Sequence, residues 1–272
     1  MIATLRHEFG MQIRRPVLWI VYGLAFTLLV VNPQLGYLLP DVGSFPHDTT
    51  AALLAMGDII NAMMPMVYGC LLADRLVRDR RLGVTEVLNT TPAGRTGRLL
   101  GKYLGACAAT ATPIALMYFG RVLVYAIIGG RPGALPLSMA VFAATSLPGL
   151  LFTGALALAG PLLMPVQPFR VLFVGYWCWS SLISPDMMPT VAYSILSPGA
   201  RYARFALFGV RFPPGVQAPS DYEPYRPTSG AAFDALRPVG TPAVAFLWMG
   251  VMVALTAAVL LLIRLHTART EH

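Results

Sequence analysis

Six long apolar segments alternate with polar segments along the chain. They cover residues 17–31, 51–72, 103–128, 135–164, 171–184 and 242–263. An α-helix needs about 20 mainly apolar residues to cross a hydrocarbon core of about 30 Å. The pattern therefore predicts an all-α integral membrane protein with six transmembrane helices, which form a single transmembrane domain over residues 1–272. The segment 171–184 is barely long enough to span, and we expect 17–31 to extend at its outer end towards Tyr37.

The first fifteen residues predict an amphipathic helix at the membrane surface. Apolar residues recur there at helical spacing, while charged and polar residues occupy the other faces. The apolar positions are Ile2, Leu5, Phe9 and Ile13. Pro16 lacks the amide hydrogen that a continuing helix needs, so we expect the helix to end there and the chain to enter the membrane.

The segment 73–102, which we call the basic loop, determines the predicted orientation. It contains seven of the twenty Lys and Arg residues of the chain. Basic residues beside membrane spans stay on the cytoplasmic side. With six spans, this rule places the basic loop and both termini in the cytoplasm and the region 185–240 outside. The expected location is the inner or plasma membrane.

The overall composition agrees with a membrane protein and excludes several other classes. The chain is 56% hydrophobic and only 12% charged, with a net charge of +8. In a soluble protein such a charge would suggest nucleic acid as a partner, but here topology and anionic lipids account for it. We therefore expect membrane lipids, and no nucleic acid, among the partners.

No pattern in the sequence is typical of an enzyme or of a cofactor site. The chain has no phosphate-binding loop, no dinucleotide fingerprint and neither the HExxH nor the GxSxG motif. The three cysteines, Cys70, Cys107 and Cys178, lie in apolar segments without metal-ligand spacing, and we interpret them as small hydrophobic residues. We expect no catalytic residue, metal or cofactor on this chain.

Two charged residues lie inside predicted spans at similar depth. Asp58 is about two turns from the outer end of 51–72, and Arg121 is about two turns from the outer end of 103–128. Ionisable residues in a membrane usually pair or face water. The favoured interpretation is a structural ion pair, with Asn61 completing its hydrogen bonding. The functional interpretation is a polar lining for a translocation path or a proton relay.

Aromatic residues near the outer side permit fewer conclusions. Trp177 and Trp179 are placed as an aromatic belt would require. The segment 192–208 mixes aromatic residues with Arg201 and Arg204. It is either a pair of re-entrant or interfacial helices that seal the outer exit of a pathway, or an outer-leaflet anchor with arginines at headgroup depth.

The basic loop also contains an ordered motif. A charged run with Arg78 and Arg81 is followed by a short amphipathic element, a Thr-Pro turn and a Gly-Lys pair. The element consists of Gly83, Val84, Thr85, Glu86, Val87 and Leu88, and the turn and the pair are Thr91-Pro92 and Gly101-Lys102. This order resembles the first cytoplasmic loop of permease subunits of the ABC type-2 exporter family. The amphipathic N-terminal segment, the six spans and the long region before the last span are similar to that family as well.

The resemblance implies a transport subunit that works with other chains. A separate ABC ATPase subunit, which holds the ATP and Mg²⁺, would dock on the loop through Val84, Glu86, Val87 and Leu88, with Arg78 and Arg81 beside them. Two permease subunits, identical or different, would form the pathway. Short outer re-entrant helices would follow the fifth span. The resemblance does not identify a substrate.

Two other function classes were weighed against this one. An ion- or proton-coupled secondary transporter could use Asp58 and Arg121, but it would be expected to have an inverted repeat, and the sequence contains no visible repeat. A membrane-embedded enzyme or assembly factor would need a catalytic constellation, and the sequence suggests none.

Overall fold

The computed structural model describes residues 1–31, 48–75, 94–183, 188–192, 194–209 and 236–269. Every regular element in these ranges is a helix. The α-helices are α1 (Ile2–Ile13), α2 (Pro16–Val31), α3 (Thr49–Leu72), α4 (Arg95–Ile128), α5 (Ala134–Thr145), α6 (Leu147–Leu163), α7 (Val166–Trp177) and α8 (Pro242–Arg269). Two π-helical segments are π1 (Cys178–Leu182) and π2 (Ala203–Leu207).

Four of the described helices are long and apolar enough to cross a membrane. They are Thr49–Leu72, Thr96–Ile128, Ala134–Leu163 and Pro242–Thr267. The first predicted span corresponds to the shorter apolar helix Pro16–Leu28, and the fifth corresponds to α7 continued by π1. The structure thus supports a helical membrane protein with four spanning helices.

Helix α3 lies in the middle of the bundle, where it packs against α2, α4, α5, α6 and α7. Many of its side chains belong to the main hydrophobic core, including Leu53, Met56, Ile60 and Tyr68. Asp48 begins the helix because its carboxylate accepts hydrogen bonds from the amides of Thr50 and Ala51.

Helix α1 is packed along α4 in a groove of glycines. Gly97, Gly101 and Gly105 recur every four residues and so lie on one face of α4. A Cβ at Gly105 would lie 2.6 Å from the carbonyl oxygen of Leu5, and one at Gly101 would lie 2.9 Å from that of Met1. Small residues at this spacing allow two helix backbones to approach closely.

Helix α1 packs two polar side chains against the bundle. Glu8 and Gln12 are buried, whereas Ile2, Arg6 and His7 are exposed. The Glu8 carboxylate accepts a hydrogen bond of 2.7 Å from Arg75, and Gln12 donates one of 3.3 Å to Thr110. These two residues therefore pair with the protein, and the position of α1 at the membrane surface stays a prediction.

The structure also moves the start of the third predicted span. Helix α4 begins at Arg95, eight residues before the predicted boundary at 103, so the end of the basic loop is helical. The predicted docking element, with Arg78, Arg81, Val84, Glu86, Val87 and Leu88, falls within 76–93 and lies outside the described residues.

The fourth predicted span is divided into α5 and α6 at Ser146, although Ala134–Leu163 together form one long apolar helix. Pro148 follows two residues later and has no amide hydrogen to donate to the preceding turn. The Ser146 amide donates to the carbonyl oxygen of Phe142 at 2.9 Å, and its hydroxyl donates to the side-chain oxygen of Asn61 on α3 at 2.7 Å. The junction of α5 and α6 is thus tied to the central helix by a polar contact.

Trp177 is a core residue and not part of an aromatic belt. Its side chain is buried, and its indole nitrogen donates to the carbonyl oxygen of Ala62 on α3 at 2.7 Å. Trp179 donates to the carbonyl oxygen of Pro189 and stays partly exposed.

Candidate functional site

A cavity of about 370 Å³ with a mixed polar and apolar lining lies beside the middle helix of the bundle. Its walls come from α3, from the end of α5, from π1 and from the segment that leads into π2. The lining residues with polar side chains are Asp58, Asn61, Thr145, Ser181, Arg201 and Arg204, and apolar ones include Leu54, Ile59, Leu182 and Phe205. One cavity therefore presents charged, hydrogen-bonding and apolar groups together.

A salt bridge between Asp58 and Arg204 crosses this cavity. The Asp58 side chain is 42% exposed and that of Arg204 is 25% exposed, so both charges remain partly accessible. The guanidinium of Arg204 also lies over the ring of Phe205, 5.1 Å from its centroid. Arg204 is thus a partner of Asp58 that the sequence did not predict, and the pairing of Asp58 with Arg121 stays a prediction.

Arg121 lies close to the same part of α3 but has a different role. Its side chain is buried, and one guanidinium nitrogen donates to the carbonyl oxygen of Met56 at 2.8 Å. The prediction that α3 and α4 are neighbours at this depth is correct. Arg121 binds the backbone of α3 two residues before Asp58.

Two π-helical segments form opposite parts of the cavity wall. π1 contributes Ser181 and Leu182, and π2 contributes Arg204 and Phe205. Arg201, just before π2, donates to the carbonyl oxygen of Ser181 at 3.2 Å and so links the two walls. Single π-turns are found frequently at functional sites.

The junction between α5 and α6 also borders the cavity. Thr145 lines it, and the neighbouring Ser146 holds Asn61, another lining residue, in place. A helix interrupted inside a membrane is tolerated where it borders protein or a polar cavity that satisfies its freed backbone groups. The junction of α5 and α6 therefore lies at the same cavity as both π-segments and the two arginines.

Buried hydrogen bonds hold the arginine-bearing wall in position. Trp248 on α8 donates to the carbonyl oxygen of Ser197 at 2.9 Å, and the Ser197 hydroxyl donates to that of Ser180 at 2.7 Å. On α6, a Cβ at Gly149 would lie 2.6 Å from the carbonyl oxygen of Pro198, so only glycine fits there without a shift.

Two further contacts attach this wall to the start of α8. Burial raises the pKa of Tyr202 to about 12, although Arg237 acts in the opposite direction. The phenol therefore stays protonated at neutral pH and donates to the carbonyl oxygen of Pro238 at 3.2 Å. Arg237 itself donates to the carbonyl oxygens of Thr190 and Ala192.

The sequence contained a signal for this site. Asp58 and Asn61 are three residues apart on α3. Arg201 and Arg204 are also three residues apart, in the segment 192–208. Residues at this spacing share one helical face. Two such polar pairs of opposite charge, one inside a span and one in an amphipathic segment, could have been matched.

Among the described residues no group of histidine, cysteine, aspartate and glutamate side chains could hold a metal ion. Comparison of the chain with models of known protein families and with curated proteins found no match.

Proposed function

We propose that this chain is the permease subunit of an ATP-driven exporter, energised by a separate ATPase that docks on the basic loop. The ordered motif in residues 78–102 carries the proposal, because it combines an amphipathic element of docking size with flanking charges on a chain that lacks a nucleotide site of its own. In this proposal the basic loop and both termini are cytoplasmic, and a second permease subunit completes the pathway.

The attachment of the basic loop supports a coupling role. At the start of the basic loop, Arg75 follows α3 closely and is paired with Glu8 of α1. Towards the end of the loop, α4 begins at Arg95, and its first turns carry the glycine groove that holds α1. Both ends of the loop are therefore attached to α1, and a displacement of the loop would be passed on to α3 and α4 together.

Helices α3 and α4 are long enough to connect the basic loop to the cavity. Helix α4 has 34 residues, which is about 50 Å at 1.5 Å per residue and exceeds a hydrocarbon core of about 30 Å. In this proposal its cytoplasmic end therefore projects beyond the membrane. Along α3, Asp58 lies about 20 Å from Leu72, where the helix ends. A single helix, with Pro65 inside it, thus joins the loop to the cavity wall.

Co-purification with a candidate ABC ATPase, sought first among the genes next to the one for this chain, tests the proposal. Leu88→Ala removes an apolar anchor, and Glu86→Lys reverses a charge at the docking edge, so each should reduce recovery of the tagged ATPase. The control is Arg14→Gln, which removes an exposed charge on the turn between α1 and α2. Membrane insertion should be normal in all three variants.

The same experiment separates docking from a simpler role for the loop. A tether to anionic lipid would depend on Arg78 and Arg81, would weaken in added salt and would tolerate Glu86→Lys, which makes the loop more basic. Unchanged ATPase recovery with both Leu88→Ala and Glu86→Lys would therefore refute the exporter proposal.

One observation keeps the alternative of an ion-coupled transporter in view. Asp58 is a partly exposed carboxylate in a cavity among membrane helices, as proton- or cation-coupled carriers require. That carboxylate is engaged in a salt bridge with Arg204. Transport into inverted vesicles distinguishes the two: ATP with the partner ATPase should drive it, and an imposed proton or sodium gradient alone should not.

A further inference from the structure

We propose that the cavity beside α3 binds an amphipathic anion, a molecule that carries a single negative charge and an apolar chain. The charges of the cavity wall, its hydrogen-bond donors and its apolar residues carry the proposal. None of these features involves the predicted docking element of the basic loop, so the cavity would bind such a molecule whether or not an ATPase docks there.

The cavity wall has an excess of positive charge. Arg201 and Arg204 line the cavity, and among the described lining residues Asp58 is the acidic one. Two guanidinium groups thus accompany one carboxylate, and this excess is the same however the three side chains pair. An uncompensated charge among membrane helices is costly. A monoanion in the cavity would compensate it.

Such an anion could bind without breaking the salt bridge. Asp58 pairs with Arg204 and takes part in a further interaction, so its own charge is already compensated by the protein. Arg204 remains 25% exposed, and a guanidinium has several N–H donors in one plane. Arg201 is half-buried and uses one nitrogen for the carbonyl oxygen of Ser181. Both arginines therefore retain donors for a ligand.

The neighbouring side chains suit the same kind of ligand. The side-chain oxygen of Asn61 accepts from Ser146 at 2.7 Å, so its amide nitrogen is the group left to donate. Leu54, Ile59 and Phe205 offer apolar surface. Guanidinium and amide donors match the oxygens of a carboxylate or a phosphodiester, and the apolar residues would contact an acyl chain.

The size of the cavity limits the ligand to a small molecule or to the head-group end of a larger one. Its volume is about 370 Å³, at the small end of the roughly 300–1,000 Å³ of ligand pockets. A free fatty carboxylate and the phosphodiester of an anionic lipid both combine a single negative charge with acyl chains. They share the chemistry that the cavity would recognise.

Isothermal titration calorimetry of the purified full chain in an uncharged detergent tests the proposal, with each titration compared with one into detergent alone. Octanoate, octanol and octyltrimethylammonium have the same apolar chain and differ in charge, and acetate has the charge without the chain. Dihexanoyl phosphatidylglycerol probes a lipid phosphodiester. We expect one anion per chain, bound at least about tenfold more tightly than octanol, because only the anion forms charge-assisted hydrogen bonds.

The chain contains a matched control for each charge. Asp74 and Arg170 form a salt bridge outside the cavity, with side-chain exposures of 51% and 30%, compared with 42% and 25% for the pair in the cavity. Arg201→Gln should weaken octanoate binding about tenfold, whereas Arg170→Gln, which removes the same charge elsewhere, should leave it unchanged. Arg201→Lys keeps the charge and should retain much of the binding.

The acidic residue gives a prediction of opposite sign. Asp58→Asn raises the positive excess of the cavity and removes a repulsion, so octanoate should bind about two- to fivefold more tightly. Asp74→Asn should have no effect. Weaker binding in Asp58→Asn would overturn the proposal, because the site would then depend on the carboxylate.

The remaining outcomes are distinct. Saturable binding of octanoate or of dihexanoyl phosphatidylglycerol supports the proposal, and the tighter of the two identifies a free carboxylate or a lipid head group as the source. No saturable binding of either, an affinity for octanol or acetate equal to that for octanoate, or equal losses in Arg201→Gln and Arg170→Gln would overturn it. The comparison of probes needs no variant, so it decides even if Arg201→Gln fails to fold. Because no ATPase is present, failure here leaves the exporter proposal standing, and failure of ATPase docking leaves this result unaffected.

Discussion

The glycine groove between α1 and α4 gives a graded prediction, because the glycines differ only in the space available to a Cβ atom. The nearest α1 atom would be 2.6 Å away at Gly105, 2.9 Å at Gly101 and 3.9 Å at Gly97. Gly120, on the same helix, has nothing within 4 Å and serves as the control. Replacing each by alanine changes one methyl group and nothing else.

The magnitude follows from these distances. An alanine at position 105 would be about 0.8 Å too close to the backbone oxygen of Leu5, and at 101 about 0.5 Å too close to that of Met1, measured against ordinary contact. Backbone atoms cannot rotate away, so α1 would have to shift. Overpacking of this kind costs about 1–3 kcal/mol, whereas glycine-to-alanine in an unhindered helix gains about 0.5–1 kcal/mol.

The melting temperatures of the wild type and the four variants are measured in detergent. A thiol-reactive fluorophore that labels the buried Cys107 on unfolding reports the transition. Gly105→Ala should melt several degrees lower than the wild type, Gly101→Ala by less, Gly97→Ala by little, and Gly120→Ala should be neutral or more stable. If Gly105→Ala is as stable as Gly120→Ala, α1 is not packed in the groove, and the coupling argument built on it fails.

Two further predictions concern buried polar contacts and use the same assay. Neutralising either Glu8 or Arg75 alone should lower the free energy of unfolding by about 3–5 kcal/mol because it leaves a buried charge unpaired. The double variant Glu8→Leu/Arg75→Met should recover most of this loss, and additive losses would contradict the pairing. Trp248→Phe should cost about 1–3 kcal/mol by leaving the carbonyl group of Ser197 without its donor, while Trp179→Phe, at a partly exposed site, should cost less; equal losses would argue against a buried role for the first contact.

The positions of the helices could be predicted from the sequence because hydrocarbon imposes strict limits. A membrane-crossing chain must satisfy its backbone internally, so long apolar runs indicate helices with little ambiguity. The start of α4 was misplaced because hydropathy marks where a helix enters lipid and not where it begins. Residues such as Arg98 and Lys102 are helical although they lie beyond the apolar run.

The contacts that each helix face makes were harder to predict than the helices themselves. Periodicity showed that α1 has a polar side, and that side was assigned to water because no partner is visible in the sequence. The partners, Arg75 and Thr110, are 67 and 98 residues away along the chain. The same limit explains why Trp177 was expected in an aromatic belt, whereas its indole contacts Ala62 of a neighbouring helix.

Asp58 was recognisable because a charge inside a span is costly and needs a reason. Arg204 was missed as a partner because depth was compared only among predicted spans. Arg204 lies in a segment too polar to span, and the folded chain shows that contacts with Trp248 and Gly149 hold this segment against the bundle. The spacing of the polar residues indicates which side chains could meet, but it does not show that the segment returns.

The two walls of the cavity are anchored to different parts of the molecule. Asp58 lies on α3, which continues to Arg75 and the basic loop, whereas Arg204 lies on a wall fixed to α8, α6 and π1. In the proposed exporter, a force applied at the basic loop would therefore move the carboxylate more than the guanidinium.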